Sequence, residues 1–269
     1  MSNTINAAAN PALANQMLSQ ALKETPQEID PEIILPSDNL VNLPGGYITT
    51  TGEAIRTAEV RELNGKDEEA ISKAINLGRA LITILQRGTV KIGTETATET
   101  MLDQMLIGDR DQLLLGILKA TFGNQVEINS YCSGCNELKT VSVDVEADIK
   151  SKILTDPIND RVFTVKGKDK EFTVRLPIGL TQKKLIDSVD KTSAEMSTLI
   201  LEGSVMKIGE SPVYSAQQVQ ALSIADRRKL IEEINTRAPG PQFDDVTVKC
   251  PDCESEVTVP INLGSLFQF

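Results

Sequence analysis

The chain has 269 residues, enough to bury a large core without disulfides, and its 27 basic and 38 acidic side chains leave a formal net charge of -11. That balance repels nucleic-acid phosphates, and with aromatic residues at 3% there is little to stack on unpaired bases. Histidine is absent, which removes Ser-His-Asp triads, Cys-His dyads and every histidine-containing zinc site, so any metal must be held by sulfur or oxygen. No charged leader precedes an apolar stretch, and no apolar run is long enough to cross a bilayer. Four cysteines are too few for a disulfide scaffold in a chain of this size. The sequence reads as a soluble protein made in a reducing cytoplasm.

Residues 1–40 read as a flexible N-terminal arm. Ala14, Met17, Leu18, Ala21 and Leu22 fall at helical spacing, but Pro26, Pro31 and Pro36 interrupt the remainder of the segment. Such a segment is either a tail or an arm that orders on a partner. From Leu40 to Leu63 the pattern is of short strands, with Pro44-Gly45-Gly46 as the hairpin turn. One helix is predicted from Asn64 or Gly65 to Gly88, because Ile71, Ala74, Ile75, Gly78, Leu81, Ile82 and Leu85 recur at helical spacing. After a Thr-rich loop comes a short helix, a break at Gly108, and a second helix with Asp109 as N-cap and Gly123 as its stop.

The second helix leads into an alternating strand that ends at Cys132, turns through Ser133-Gly134-Cys135 and leaves as another alternating strand. Near the other end, "DVTVKCPDCESEVTVPINL" repeats the pattern around Cys250 and Cys253. Strand, C-x-x-C turn, strand is the sequence form of a zinc knuckle, and two facing knuckles give tetrahedral four-sulfur coordination of a structural Zn2+. Residues 136–249 separate the pairs, so the two hairpins must meet across an inserted region. A redox dithiol is the competing reading, but it belongs at the start of a helix, and here a strand follows each pair. Free thiols are the third.

Within the insertion, residues 160–177 alternate on both sides of a turn at Gly167–Lys170, a hairpin pattern. A helix is predicted from Thr181 to about Leu201, then a shorter one, then one opened by Ser223 and Asp226 and closed by Pro239-Gly240-Pro241. The class is therefore α+β, with helical and β-hairpin subdomains joined by a discontinuous four-cysteine, zinc-ribbon-like site. The expected organisation is an arm over 1–40 and a strand-helix region over 41–150 that ends in the first knuckle. An inserted hairpin and helical region occupies 151–245, and the second knuckle with an aromatic C-terminus occupies 246–269. Leu266, Phe267 and Phe269 form an apolar ending, expected to dock on a partner because exposed apolar clusters mark contacts. The stretch "IGDRDQ" sets a carboxylate beside an arginine, but a helix cap accounts for it, and no catalytic residue is assigned.

The order of these motifs resembles that of the baseplate protein family of T4-type contractile-tailed bacteriophages, the small hub or tail-tip proteins. The resemblance is carried by "NLPGGY" (Asn42–Tyr47), "VRELNGKDEEAIS", "LIGDRDQLLLGILKATFGN" before "CSGC", "EFTVRLP", "LSIADRRKLIEEI" into "APGP", then "CPDC" and the aromatic ending. It covers roughly Asn42 to Phe269. It implies a non-enzymatic virion component made in the host cytoplasm. Its partners would be other tail and baseplate proteins in a hetero-oligomeric assembly, with neither nucleic acid nor membrane among them. The alternatives are an assembly chaperone absent from the mature virion and a zinc-ribbon nucleic-acid-binding factor.

Overall fold

Residues 39–267 are described by a computed structural model. The chain opens with β1 (Leu40–Ile48) and β2 (Ala54–Val60), followed by α1 (Gly65–Ile71) and α2 (Leu77–Gly88). β3 (Thr89–Ile92) and β4 (Glu95–Thr96) complete an antiparallel sheet whose strand order is the chain order. Next come α3 (Glu99–Gln104) and α4 (Ile107–Phe122). α4 is the spine of the main core: Leu113, Leu114, Ile117 and Leu118 are buried among Val41 and Leu43 of β1, Val60 of β2 and Ile84 and Leu85 of α2.

β5 (Gln125–Cys132) and β6 (Glu137–Asp144) form an eight-pair hairpin in which every second residue of β5 is buried. This alternation sends Val126, Ile128, Val141 and Val143 into the same core. β7 (Ser151–Lys152) then leads to β8 (Val162–Lys166) and β9 (Glu171–Arg175). α5 (Gly179–Ile186) and α6 (Ser193–Ser204) precede β10 (Val205–Ile208) and β11 (Ser211–Pro212). The second sheet has the order β11-β10-β9-β8. α7 (Ala216–Gln220) and α8 (Ile224–Arg237) cover it, and Val165, Phe172, Val174, Leu201, Val205, Val219, Leu230 and Ile234 make a core of their own. The chain returns through β12 (Gly240–Pro241), paired with β7, to the hairpin of β13 (Val246–Lys249) and β14 (Glu256–Val259). It closes with α9 (Leu263–Phe267). Every paired strand among the described residues is antiparallel, and the mixed α+β class stands.

Several elements differ from their sequence pattern. β1 runs through Pro44-Gly45-Gly46 as a bulge, its register with β2 breaking between Asn42 and Tyr47. The reversal lies further on, where Thr49 N donates to Glu53 O at 2.9 Å. The bulge frees backbone groups for distant partners: Gly45 N donates to Asp109 Oδ1 at 2.6 Å, Pro44 O accepts from Leu154 N at 2.9 Å, and Arg161 donates to Gly46 O. Gly46 takes φ 73°, a conformation that favours glycine.

The single helix expected over 64–88 is two helices, because Asn76 accepts from Arg79 N at 2.8 Å and caps a new start, leaving Ile75 exposed in the break. The helix expected over 181–201 is likewise split, with Thr192 and Glu195 forming a capping box at the start of α6. Asp109 is not an N-cap. α4 begins after Leu106, which offers no side-chain cap, and Asp109 sits inside the first turn facing Gly45. The hairpin turn at Gly167–Lys170 and the Ser223 cap on Asp226 N, at 3.0 Å, match the sequence pattern. The expected arm lies outside the described residues except for Asn39 and Leu40, and Phe269 lies outside them too.

Candidate metal centre

The two C-x-x-C turns take the same path. Asn136 N donates to Cys132 O at 2.8 Å, and Glu254 N donates to Cys250 O at 3.0 Å. The residue after each second cysteine lies in the left-handed region, Asn136 at φ 61° and Glu254 at φ 58°. A non-glycine residue rarely stays there without compensation. The matched conformation gives both hairpins the same curl and aims their sulfurs at a common point.

The hairpins meet face to face, with Ser130 Oγ donating to Thr258 O at 3.1 Å and the inward valines of β5, β6 and β14 sharing the main core. The sulfurs pair across them: Cys132 Sγ lies 3.6 Å from Cys253 Sγ, and Cys135 Sγ lies 3.7 Å from Cys250 Sγ. All four lie within 4.8 Å of one another. A disulfide needs about 2.05 Å, and all four cysteines are free. Sulfurs arranged tetrahedrally at ~2.3 Å from a central ion stand roughly 3.8 Å apart, so the cluster has the dimensions of a four-thiolate site. Four sulfur donors suffice for a tetrahedral ion and would leave no position for substrate. Among the described residues no other group of three or more metal-ligating side chains is gathered in this way.

Cys132 and Cys250 are buried, Cys135 is half-buried and Cys253 is exposed. Hydrogen bonds from the Ser255 hydroxyl and then its backbone N–H, followed by Cys135, bring the Cys253 thiol down to about 6. That lowering favours the thiolate, the form a metal binds. Cys135 is pushed up, first by its hydrogen bond with Cys253. Lys139 clasps the turns together, its Nζ 2.6 Å from both Asp252 and Glu137, and these carboxylates hold its ammonium above the ordinary lysine value.

The family model for the T4 bacteriophage base plate protein matches residues 46–268, a span that includes both cysteine pairs. The chain belongs to this family. No curated protein and no solved structure matches it. Membership gives the protein a structural, non-catalytic role in the phage baseplate or tail tip, in contact with other baseplate and tail proteins. No helix among the described residues is long and apolar enough to cross a membrane.

The structure brings Cys132, Cys135, Cys250 and Cys253 together and places Leu266 and Phe267 elsewhere. Leu266 and Phe267 are only 2% and 8% exposed and belong to the main core, where α9 packs on α4 and β5. For Leu266 and Phe267 the expectation of docking on a neighbour is therefore corrected, since their own chain covers them, while Phe269 lies outside the described residues.

The "IGDRDQ" stretch proves to be a joint that sequence reasoning missed. Arg110 is buried and donates from Nε to Gln182 Oε1 at 2.7 Å and from a guanidinium N–H to Leu102 O at 2.8 Å. Asp109 is buried, and burial pushes its carboxyl up to about 6 against the opposing pull of Gly45 N–H and Arg161. Gln182 is 72 residues from Arg110 and Gly45 is 64 from Asp109, so no local pattern announces either bond.

Proposed function

We propose that Cys132, Cys135, Cys250 and Cys253 hold one Zn2+ as four thiolates, and that the site is a structural clip in a baseplate component. The observation that carries this is the meeting of four free sulfurs from the two ends of the insertion at tetrahedral spacing. An all-sulfur tetrahedral set suits zinc, a borderline-soft ion, and excludes magnesium and calcium, which take oxygen. On this reading 41–150 and 246–269 form the body that joins neighbouring baseplate proteins, and 151–245 is an insertion held at its base by the clip. Fixing both ends of a long insertion restricts the unfolded chain and sets the direction in which the insertion points.

Metal analysis of protein purified without chelator tests the reading. One zinc per chain is expected, with thiols that become reactive only when the metal is stripped. Metal-free protein with four freely reactive thiols would sink it.

A further inference from the structure

The two helices that flank the insertion's core, α6 and α8, leave a groove of about 740 Å³ between them. On α8 it is lined by Ile224, Arg227, Arg228, Ile231 and Asn235, which keep the i, i+3, i+4, i+7, i+11 spacing of one helical face. That face runs the length of the helix, roughly 16 Å. α8 satisfies its own fold elsewhere, since Leu230 and Ile234 are buried in the insertion core. The groove face is a second one that meets the core at the half-buried Ile231, and Ile224 stands on it 71% exposed. Opposite, α6 presents only Ser193, Ala194 and Ser197, small side chains that let another backbone come close.

Charge says what kind of backbone. Arg227 is held in place by neutral acceptors alone, donating to Val219 O and Ala194 O at 3.1 Å and to Thr198 Oγ1 at 2.8 Å. Arg228 is exposed, and its side chain makes no ion pair or hydrogen bond among the described residues. Arg61, Arg79, Arg87, Arg110 and Arg237 each stand within 4.0 Å of a carboxylate; the groove arginines do not, and neither do Arg56, Arg161 and Arg175, which donate to backbone carbonyls elsewhere. The groove lining carries two guanidinium groups against one carboxylate, Glu232, and is thus net positive in a chain of net charge -11. Glu232 stands one helical turn from Arg228 but forms no ion pair with either groove arginine.

We propose that the groove is the docking site for an acidic amphipathic helix of a neighbouring tail protein. Its apolar face would rest on Ile224 and Ile231, and its carboxylates would reach Arg227 and Arg228. Helix-in-groove recognition of this kind takes its anchors at i, i+3, i+4 and i+7 and its register from the flanking charges. The proposal rests on family membership only for the existence of a neighbour, and it is independent of the metal.

Phage carrying Ile224→Asp, and separately Arg228→Glu, test it. Both side chains are exposed, so the isolated full-length variants should melt and retain metal as the wild type does. Incorporation into purified tails, read by quantitative mass spectrometry, should fall by roughly tenfold or more for each. Revertants of Arg228→Glu should carry an Asp or Glu changed to Lys or Arg in a different tail protein. Wild-type incorporation of both variants overturns the proposal. So do revertants confined to this chain, which would point to a second copy as the occupant. If wild-type protein is itself missing from the particles, the baseplate role falls and the docking site with it, whereas equal amounts of wild type and variant sink the docking site alone.

Discussion

Gly134 stands where the two knuckles come closest. A Cβ added there would lie 2.8 Å from Ser255 Cβ and 2.9 Å from Cys253 Sγ, inside ordinary contact distance, so Gly134→Ala must push one turn away from the other. The expected loss is about 1–3 kcal/mol in denaturant unfolding, together with faster metal loss to a competing chelator. Gly65→Ala is the control, since its Cβ would meet nothing within 4 Å. A Gly134→Ala protein that behaves like the control would mean that the turns do not touch. Asp109 gives a second prediction, on pH. Its folded pKa of about 6 lies above the ordinary value of 3.8. Its contribution is therefore fully present below pH 4 and is lost as pH rises through 6, because the unfolded chain ionises first and the buried carboxyl resists. Asp109→Asn keeps an oxygen for Gly45 N–H and removes the titration. Between pH 4 and 6.5 the stability of the wild type should fall relative to that of the variant by about 2 kcal/mol. Parallel pH profiles would refute the buried acid. The cysteines are legible in the sequence because each pair carries its own strand, turn and strand, whereas Asp109 is not, because its role is set by a backbone bulge 64 residues away.

At the scale of elements, the sequence tells where apolar faces lie better than where they stop. The stripe from Ile71 to Leu85 is continuous at helical spacing, yet Asn76 breaks it by offering its side chain to Arg79 N. A side-chain oxygen that competes for backbone N–H groups favours a new helix start over an unbroken turn. Thr192 does the same before α6. The Pro44-Gly45-Gly46 signal is equally ambiguous, because glycine with φ > 0 serves a bulge as well as a turn, and only the partners on α4 and at Leu154 and Arg161 choose between them. α9 is the case in which tertiary packing reverses the expectation. A position near the end of a sequence suggests surface, but the five-residue helix folds Leu266 into the main core. Leu266→Ala should therefore destabilise the isolated protein by about 2–5 kcal/mol, as buried leucine truncations do. A melting temperature equal to wild type would restore the interface reading.

For the whole molecule, the position of the insertion between the two cysteine pairs decides what the clip can do. The chain leaves the main core after β6, builds a second sheet and a second core, and returns through β12 and β13, so that β5–β6 and β13–β14 bracket it. Hydrophobic burial within each core is local, but the two knuckle hairpins are separate two-stranded ribbons, marginal by themselves and joined chiefly by facing side chains and the sulfur cluster. If the proposed metal is removed, nothing bridges the four sulfurs, and the cluster should relax toward separated cysteines. The loss should not spread evenly. Hydrogen exchange after chelation should rise first in β13–β14, whose hairpin has only four residue pairs, and then in the Cys132 end of β5–β6. Amides of β9, β10 and α8 should keep their protection, because Phe172, Leu230 and Ile234 pack in a core that does not include the knuckles. Cys132→Ser and Cys250→Ser should reproduce the pattern to similar extents, since each removes one buried sulfur from the same cluster. Uniform exchange along the chain after chelation would show instead that the metal holds the entire fold, and no change at all would show that the sulfurs hold nothing.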